Sequence, residues 1–599
     1  MKNFNHSRYL EVLSLSAFLV VFFLYFFVLN RYHLSYLEQN QLFRFNPDYL
    51  AQFFDQPGGF ITLLGAFFTQ FFSFPWIAAI IMTLLACSFY LLSRNLFNLY
   101  NWKGIAFSFI PVVLLAALQS SHNYQLANTF GWLISLIAFL LYGRIRRYQT
   151  RYLMGITSFL ILYYLAGVYS FYTLLLFVLH EILFQGEKKR LFFILSLIVI
   201  SLLIPWLTWR FIMLTDLKTV WYLPLTSVSL SSGKLFFLLM ALYYPLVLIV
   251  IFLFRRYFKG TALNFSWNLK HIIPAFFIIL VLMAVLYRSA YDPKNELFLK
   301  IDASYQASHW NKVLTLSEQY PGMNQLVMYY TNLALFKTGK LPEELFNYKQ
   351  SGTKGLWLEW KRNETAPFYG GEIFYHLGYN NEAYRWAFEA MEAKGLNPRS
   401  LKRLVLTSLI NREYAIAGKF LNYLDQTLFY RKWAKEYQAI LADTSLLQYH
   451  PELVEKRNHL VQEDFISNIS EEDIGLMQLL LNDPNNRMAF EYLMTSFLLN
   501  KNLEAFAANI YRLNELRYPK IPRHFEEALI LYSGILKKNI VPEGYEISAE
   551  TKQRFHTYAQ LFAHNRNSLN KAAEVLYRDF GNTFWYYLQF SDNGSPTYE

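Results

Sequence analysis

One cysteine, Cys87, is all that 599 residues supply. That excludes a disulfide framework and any thiolate metal site. No Gly-x-x-x-x-Gly-Lys-Ser/Thr loop occurs, so the chain carries no cradle for a nucleoside triphosphate, and no His-Glu-x-x-His spacing marks a metal centre. No basic tract with interleaved aromatics points to nucleic acid. Neither a cofactor nor a metal is expected. The scarcest residues in the first half are acids. Residues 1–290 hold seven (Glu11, Glu38, Asp48, Asp55, Glu181, Glu187 and Asp216) against 21 lysines and arginines, while the remainder is nearly balanced with 36 acids and 34 bases.

What is abundant is apolar surface: 54% of the chain is hydrophobic and 19% aromatic. Apolar runs of about 17–25 residues match a hydrocarbon core roughly 30 Å thick. They lie near 12–30, 75–93, 104–121, 126–143, 152–168, 169–185, 191–209, 235–254 and 271–289. Residues 1–290 therefore read as a multi-pass membrane domain of about nine spans. The first run follows Lys2 and Arg8 and has no small-residue cleavage pattern after it, as expected of a retained anchor.

The bases orient the chain. With the N-terminus inside, cytoplasmic loops carry Arg94 and Lys103, then Arg144, Arg146, Arg147 and Arg151, then Lys188, Lys189 and Arg190, then Arg255, Arg256, Lys259 and Lys270. That alternation obeys the positive-inside rule and puts everything after residue 290 outside. Were residues 58–72 to cross on their own, every later loop would invert. We therefore read them as a helix at, or dipping into, the outer interface, with Pro75 opening the second span.

Residues 291–599 have the composition of a soluble domain. Turn-plus-helix units recur around Val313, Glu344, Ala383 and Ala417, spaced by 31, 39 and 34 residues, and again around Phe506. Gly378, Ala383, Ala390 and Pro398 resemble the tetratricopeptide pattern, which implies an α-solenoid with a concave face for a peptide or protein partner. The expected fold is thus all-α: a polytopic helical bundle at 1–290, then an extracytoplasmic repeat domain at 291–599.

The first outer loop, 31–74, concentrates the chemistry. Glu38, Asp48 and Asp55 sit within it, and the next acid along the chain is Glu181. Local roles are available. Ser35 with Glu38 fits a capping box. Asn46-Pro47-Asp48 fits a helix start, with Tyr49, Leu50, Phe53 and Phe54 on one interfacial face. Asp55 is placed to cap the helix that follows the Gln56–Gly59 turn. The alternative is a reaction site, in which one carboxylate acts as general base on an acceptor hydroxyl. Arg31, His33, His122, Arg210 and Arg288, all at outer helix ends or loops, would stabilise a departing phosphate.

The plan of one span, a long acidic outer loop with interfacial helices, further spans and an outer C-terminal domain resembles that of the GT-C glycosyltransferases. That resemblance implies a polyprenyl-phosphate-linked sugar as donor, with Glu38 matching the acid best by position and Asp48 next. The adjacent acid pair common in that loop is missing here. The stretches LEQNQLFRFNPDYLAQFFDQPGGF, FFTQFF, NLALFKTG and FYHLGYNNEAYRWAFEA resemble more closely an uncharacterised family of multi-pass envelope proteins from Bacteroidota. The implied setting is the bacterial inner membrane, with the N-terminus cytoplasmic and the C-terminal domain periplasmic. A non-enzymatic scaffold for envelope assembly is the alternative function. A flippase or transporter ranks below both, because the spans carry almost no charge apart from His180 and Glu181 near one end.

Overall fold

The computed structural model describes residues 2–102, 105–121, 123–186, 189–225, 233–257, 277, 281, 284–285, 287–361, 363–461, 472–536 and 540–591. Its named elements are all helices, and one isolated bridge joins Ser351 to Thr353. The chain divides into two compact units, Met1–Glu296 and Leu297–Glu599.

Among the described residues of the first unit, five helices are long and apolar enough to cross a membrane by length and composition: Glu11–Leu29, Pro75–Leu99, Leu126–Arg144, Arg190–Phe211 and Lys234–Tyr257. Four of the nine apolar runs are not among these five. The run at 104–121 yields only the shorter apolar helix Ala106–Gln119, and the run at 169–185 yields Tyr169–Phe184. Tyr148–Ala166 begins with the polar turn Tyr148-Gln149-Thr150-Arg151, which dilutes its apolar character. The ninth run, 271–289, lies largely outside the described residues.

Two local features position the first loop. The opening helix Lys2–Leu24 runs on as a π-helical turn, Tyr25–Leu29, before Asn30 breaks it and the helix Arg31–Gln39 begins. Further on, Pro47–Gln52 is followed by a 3₁₀ turn, Phe53–Asp55, and then by Gly59–Thr69. At 1.5 Å per residue those last eleven residues span about 17 Å, short of a bilayer core. Pro75 then opens the helix Pro75–Leu99 at its first turn.

Three loops meet at one end of this unit. Gly58, with φ at +80°, donates its amide to the Tyr164 carbonyl at 2.9 Å, and a Cβ there would lie 2.6 Å from the Pro224 ring. Gly167, with φ at +59°, ends the helix Tyr148–Ala166, and a Cβ would lie 2.1 Å from the Leu223 carbonyl oxygen. Both positions need a backbone that other residues rarely adopt. Tyr164 Oη completes the junction by donating to the Phe54 carbonyl at 2.8 Å.

The second unit is built of successive antiparallel helices. Asn380–Lys394, Pro398–Ile410, Tyr414–Asp425 and Arg431–Ala442 each pack on the next. Asparagine caps open several of them: Asn324, Asn397, Asn486 and Asn502 each accept a backbone amide of the first turn. Val313, Ala383, Ala417 and Phe506 are fully buried at helix contacts. Glu344 is not; it stays half-exposed and pairs with Lys340 instead.

Candidate functional site

Of the three acids in the first loop, two face water. Asn46 Oδ1 accepts the amides of Asp48 and Tyr49 at 2.9 and 3.2 Å, so the expected helix start is formed and Asp48 sits exposed in its first turn. Asp55 is exposed in the 3₁₀ turn. The cap assigned to Asp55 is not made, because Gly58 opens the next helix without a side-chain bond.

Glu38 behaves differently. The capping box expected from Ser35 and Glu38 does not form. The helix already starts at Arg31, so Ser35 is mid-helix and Glu38 falls in the last turn. There Glu38 is 4% exposed. The N-terminus of this helix is capped instead by Glu296, which accepts the Tyr32 amide at 2.6 Å and the His33 amide at 3.1 Å. A carboxylate at that position satisfies two orphan donors and opposes the positive end of the helix dipole. No signal in the sequence ties Glu296 to residues more than 260 positions away.

The expected phosphate binders divide similarly. His33 is buried, and its Nε2 lies 3.2 Å from the Gln119 carbonyl oxygen, so that nitrogen carries the proton and donates. Tyr25 Oη and Ser120 Oγ lie 2.9 Å apart beside it. Arg31, Arg210 and Arg288 are exposed, Arg31 resting over the Tyr32 ring and Arg210 over Phe211. His122 lies outside the described residues. The helix Arg31–Gln39 thus buries His33 and Glu38, and Glu296, on the helix Pro293–Gln306, caps its start.

A second polar centre lies at the buried end of the helix Tyr169–Phe184. Arg151 Nε donates to Glu181 Oε1 at 2.6 Å, with 2% and 0% of the two side chains exposed. Tyr142 Oη donates to the same oxygen at 2.8 Å, and Arg151 Nη1 caps the Ile145 carbonyl at 3.2 Å. The neighbouring His180 Nδ1 is 2.5 Å from Tyr100 Oη, and its Nε2 is 3.0 Å from Gln185 Nε2. Arg151 was grouped by sequence with a solvated basic cluster. It is instead drawn inward, because an isolated Glu181 in apolar surroundings would be far costlier than a pair.

The second unit has a polar interior of its own. Arg399 Nη1 donates to Asp302 at 2.9 Å, and Arg403 Nη2 donates to Glu372 at 2.6 Å. Tyr305 Oη bonds Glu372 at 3.2 Å and lies 2.8 Å from His376 Nε2, while Lys456 Nζ donates to the His376 carbonyl at 2.8 Å. Elsewhere Glu527 accepts from the Phe584 amide at 2.7 Å and bonds His524 Nδ1 at 2.9 Å. Burial alone would raise the Glu527 carboxyl, but His524 and Arg523 hold it below its ordinary value. Among the described residues no group of three His, Cys, Asp or Glu side chains could hold a metal ion.

These observations define an all-α membrane protein: a helical bundle with apolar helices of crossing length, followed by a helical unit with an ionic interior. The chain belongs to DUF6057, a family of unknown function, whose model matches residues 6–591. No curated protein and no solved structure matches it.

Proposed function

We propose that this protein is a glycosyltransferase of the GT-C kind in the bacterial inner membrane, taking sugar from a polyprenyl-phosphate carrier. In this reading its N-terminus is cytoplasmic, and the first loop and a repeat-like C-terminal domain are periplasmic. The observation that carries the reading is the burial of Glu38. Of the three loop acids it alone is withdrawn from water. A carboxylate so placed, directly after the first apolar helix, suits a general base acting where lipid and loop meet. The reaction would break the anomeric carbon–phosphate oxygen bond and form a bond to the acceptor oxygen. The acceptor proton would go to Glu38 and the polyprenyl phosphate would leave.

The test is release of polyprenyl phosphate by purified protein in proteoliposomes, offered labelled polyprenyl-phosphate hexoses and envelope extract as acceptor. Glu38→Gln should lower the rate by about 10²–10⁴-fold, the usual contribution of a general base. Asp48→Asn and Asp55→Asn should leave it within a few fold. Full activity in Glu38→Gln would remove the proposal.

A second reading, a membrane-anchored scaffold for envelope assembly, draws on the exposure of Arg31, Arg210 and Arg288: these cations lie at the surface and are not drawn into a buried site. It requires that Glu38→Gln cells keep a normal envelope while cells lacking residues 297–599 do not.

A further inference from the structure

The ionic interior of the second unit is asymmetric. Around Arg403 several cationic donors are buried without an acceptor. Arg403 lies with its guanidinium carbon 3.5 Å from the centre of the Tyr375 ring, and its Nη2 is spent on Glu372. Its Nε and Nη1 are buried and have no acceptor. His376 is nine-tenths buried; its Nε2 meets Tyr305, and its Nδ1 has no partner. Lys456 spends two of its three protons, on the His376 carbonyl and on Glu455. Buried N–H groups without acceptors cost on the order of 1–3 kcal/mol each, more when charged, and a native fold rarely carries several in one place.

We propose that Arg403, His376, Lys456 and Lys337 form a binding site for an oxyanion, a phosphate or carboxylate group of a ligand. The ligand oxygens supply acceptors for the spare N–H groups of Arg403, Lys456 and Lys337. Arg403 is suited to this because stacking on Tyr375 and the bond to Glu372 fix its plane in advance, leaving two nitrogens to present. The electrostatics agree. Lys337 makes no ion pair with any described residue, and burial, then the charge on Lys456, pushes its amine down to about 8. Burial, followed by Lys337, Lys456 and Arg403, keeps the His376 imidazole well below its usual value. Neutral at physiological pH, that imidazole spends its one proton from Nε2 on Tyr305, whose own proton goes to Glu372, and so Nδ1 offers a lone pair to a protonated ligand oxygen. Glu372, Glu455 and Glu452 offset part of this positive charge, and what an anion adds is acceptors for the N–H groups they leave unused. This inference is independent of the transferase reading, since no residue of the first unit takes part.

The experiment uses the full chain in detergent. Equilibrium dialysis measures binding of labelled inorganic phosphate and of acetate, and thermal unfolding is followed at matched ionic strength with chloride as control. Phosphate, acetate or both should bind saturably at one per chain and raise the melting temperature where chloride does not. Lys337→Met strands no carboxylate, so the variant should fold. It should melt above wild type without anion, and lose at least ten-fold in anion affinity. Arg403→Lys, which keeps the charge but removes the spare nitrogens, should also bind at least ten-fold more weakly. The exposed Lys312→Met should match wild type. Absence of saturable binding for both anions, or unchanged affinity in Lys337→Met, would overturn the proposal. A response to phosphate alone, or to acetate alone, supports it and identifies the ligand group.

Discussion

Glu296→Ala should unfasten the N-terminus of the helix Arg31–Gln39 without unfolding the protein. The amides of Tyr32 and His33 precede the first intrahelical bond, which runs from Leu34 to the Asn30 carbonyl at 3.2 Å. Their acceptors are the two oxygens of Glu296. Each is a hydrogen bond to a charged group, worth about 1.5–3 kcal/mol, and the helix dipole adds a few tenths to about 1 kcal/mol. Water partly replaces the lost carboxylate, so the net cost should be about 2–3 kcal/mol. At 1.4 kcal/mol per decade this means a roughly 30–100-fold fall in amide protection. Glu296→Gln keeps one acceptor and should show about a third to a half of that free energy. Hydrogen exchange by mass spectrometry, read on peptides covering residues 30–40, checks this, with peptides from Tyr148–Ala166 as the internal control. Equal protection of Tyr32 and His33 in wild type and Glu296→Ala would refute the account of how this helix is held. Because Glu38 rides on the same helix, a loss of protection there also tells the enzymologist which scaffold orients the proposed base.

Two further outcomes follow from the buried charges. Replacing Arg151 or Glu181 alone by methionine should cost about 3–5 kcal/mol, whereas the double replacement should recover most of it, since an unpaired buried charge is the expensive species; a cycle of four melting curves in detergent reads the coupling, and additive losses would contradict it. Lys337 has a folded-state value of about 8 against an ordinary 10.5, so between those values the unfolded chain holds more protons and stability should climb with pH, by at most on the order of 3 kcal/mol. The climb belongs to Lys337 only in so far as it vanishes in Lys337→Met, since Lys456, Glu455, Glu452 and Arg403 act on the same amine.

What could be read in the sequence was what is local. Asn46-Pro47-Asp48 announces a helix start because cap, first-turn proline and acid are contiguous, and the helix forms there. Pro75 opens its helix with proline alone, at a position where the missing amide costs no helical bond. Apolar runs gave helices, five of them of crossing length among the described residues. The capping box at Ser35–Glu38 failed through a competing fact: the preceding helix ends in a π turn, and the next has its N-cap at Asn30, five residues too early for Ser35 to fill that place. The grip of Glu296 on Tyr32, and the withdrawal of Arg151 from its basic cluster to meet Glu181, depend on partners 264 and 30 positions away. Burial separated Glu38 from Asp48 and Asp55, and charge counting treats all three alike.

The π turn at Tyr25–Leu29 sets phase. A wider turn accommodates one residue more than an α-helical turn would, so everything beyond it is rotated by about 100° relative to an uninterrupted helix. Removing a single residue from that turn would leave composition, hydropathy and helix length almost untouched. It would also swing the face that carries His33 and Glu38 away from the interior and toward the surroundings. The spacing between the first apolar helix and its loop therefore acts as a dial, and a one-residue indel there is a larger change to this molecule than most substitutions within it.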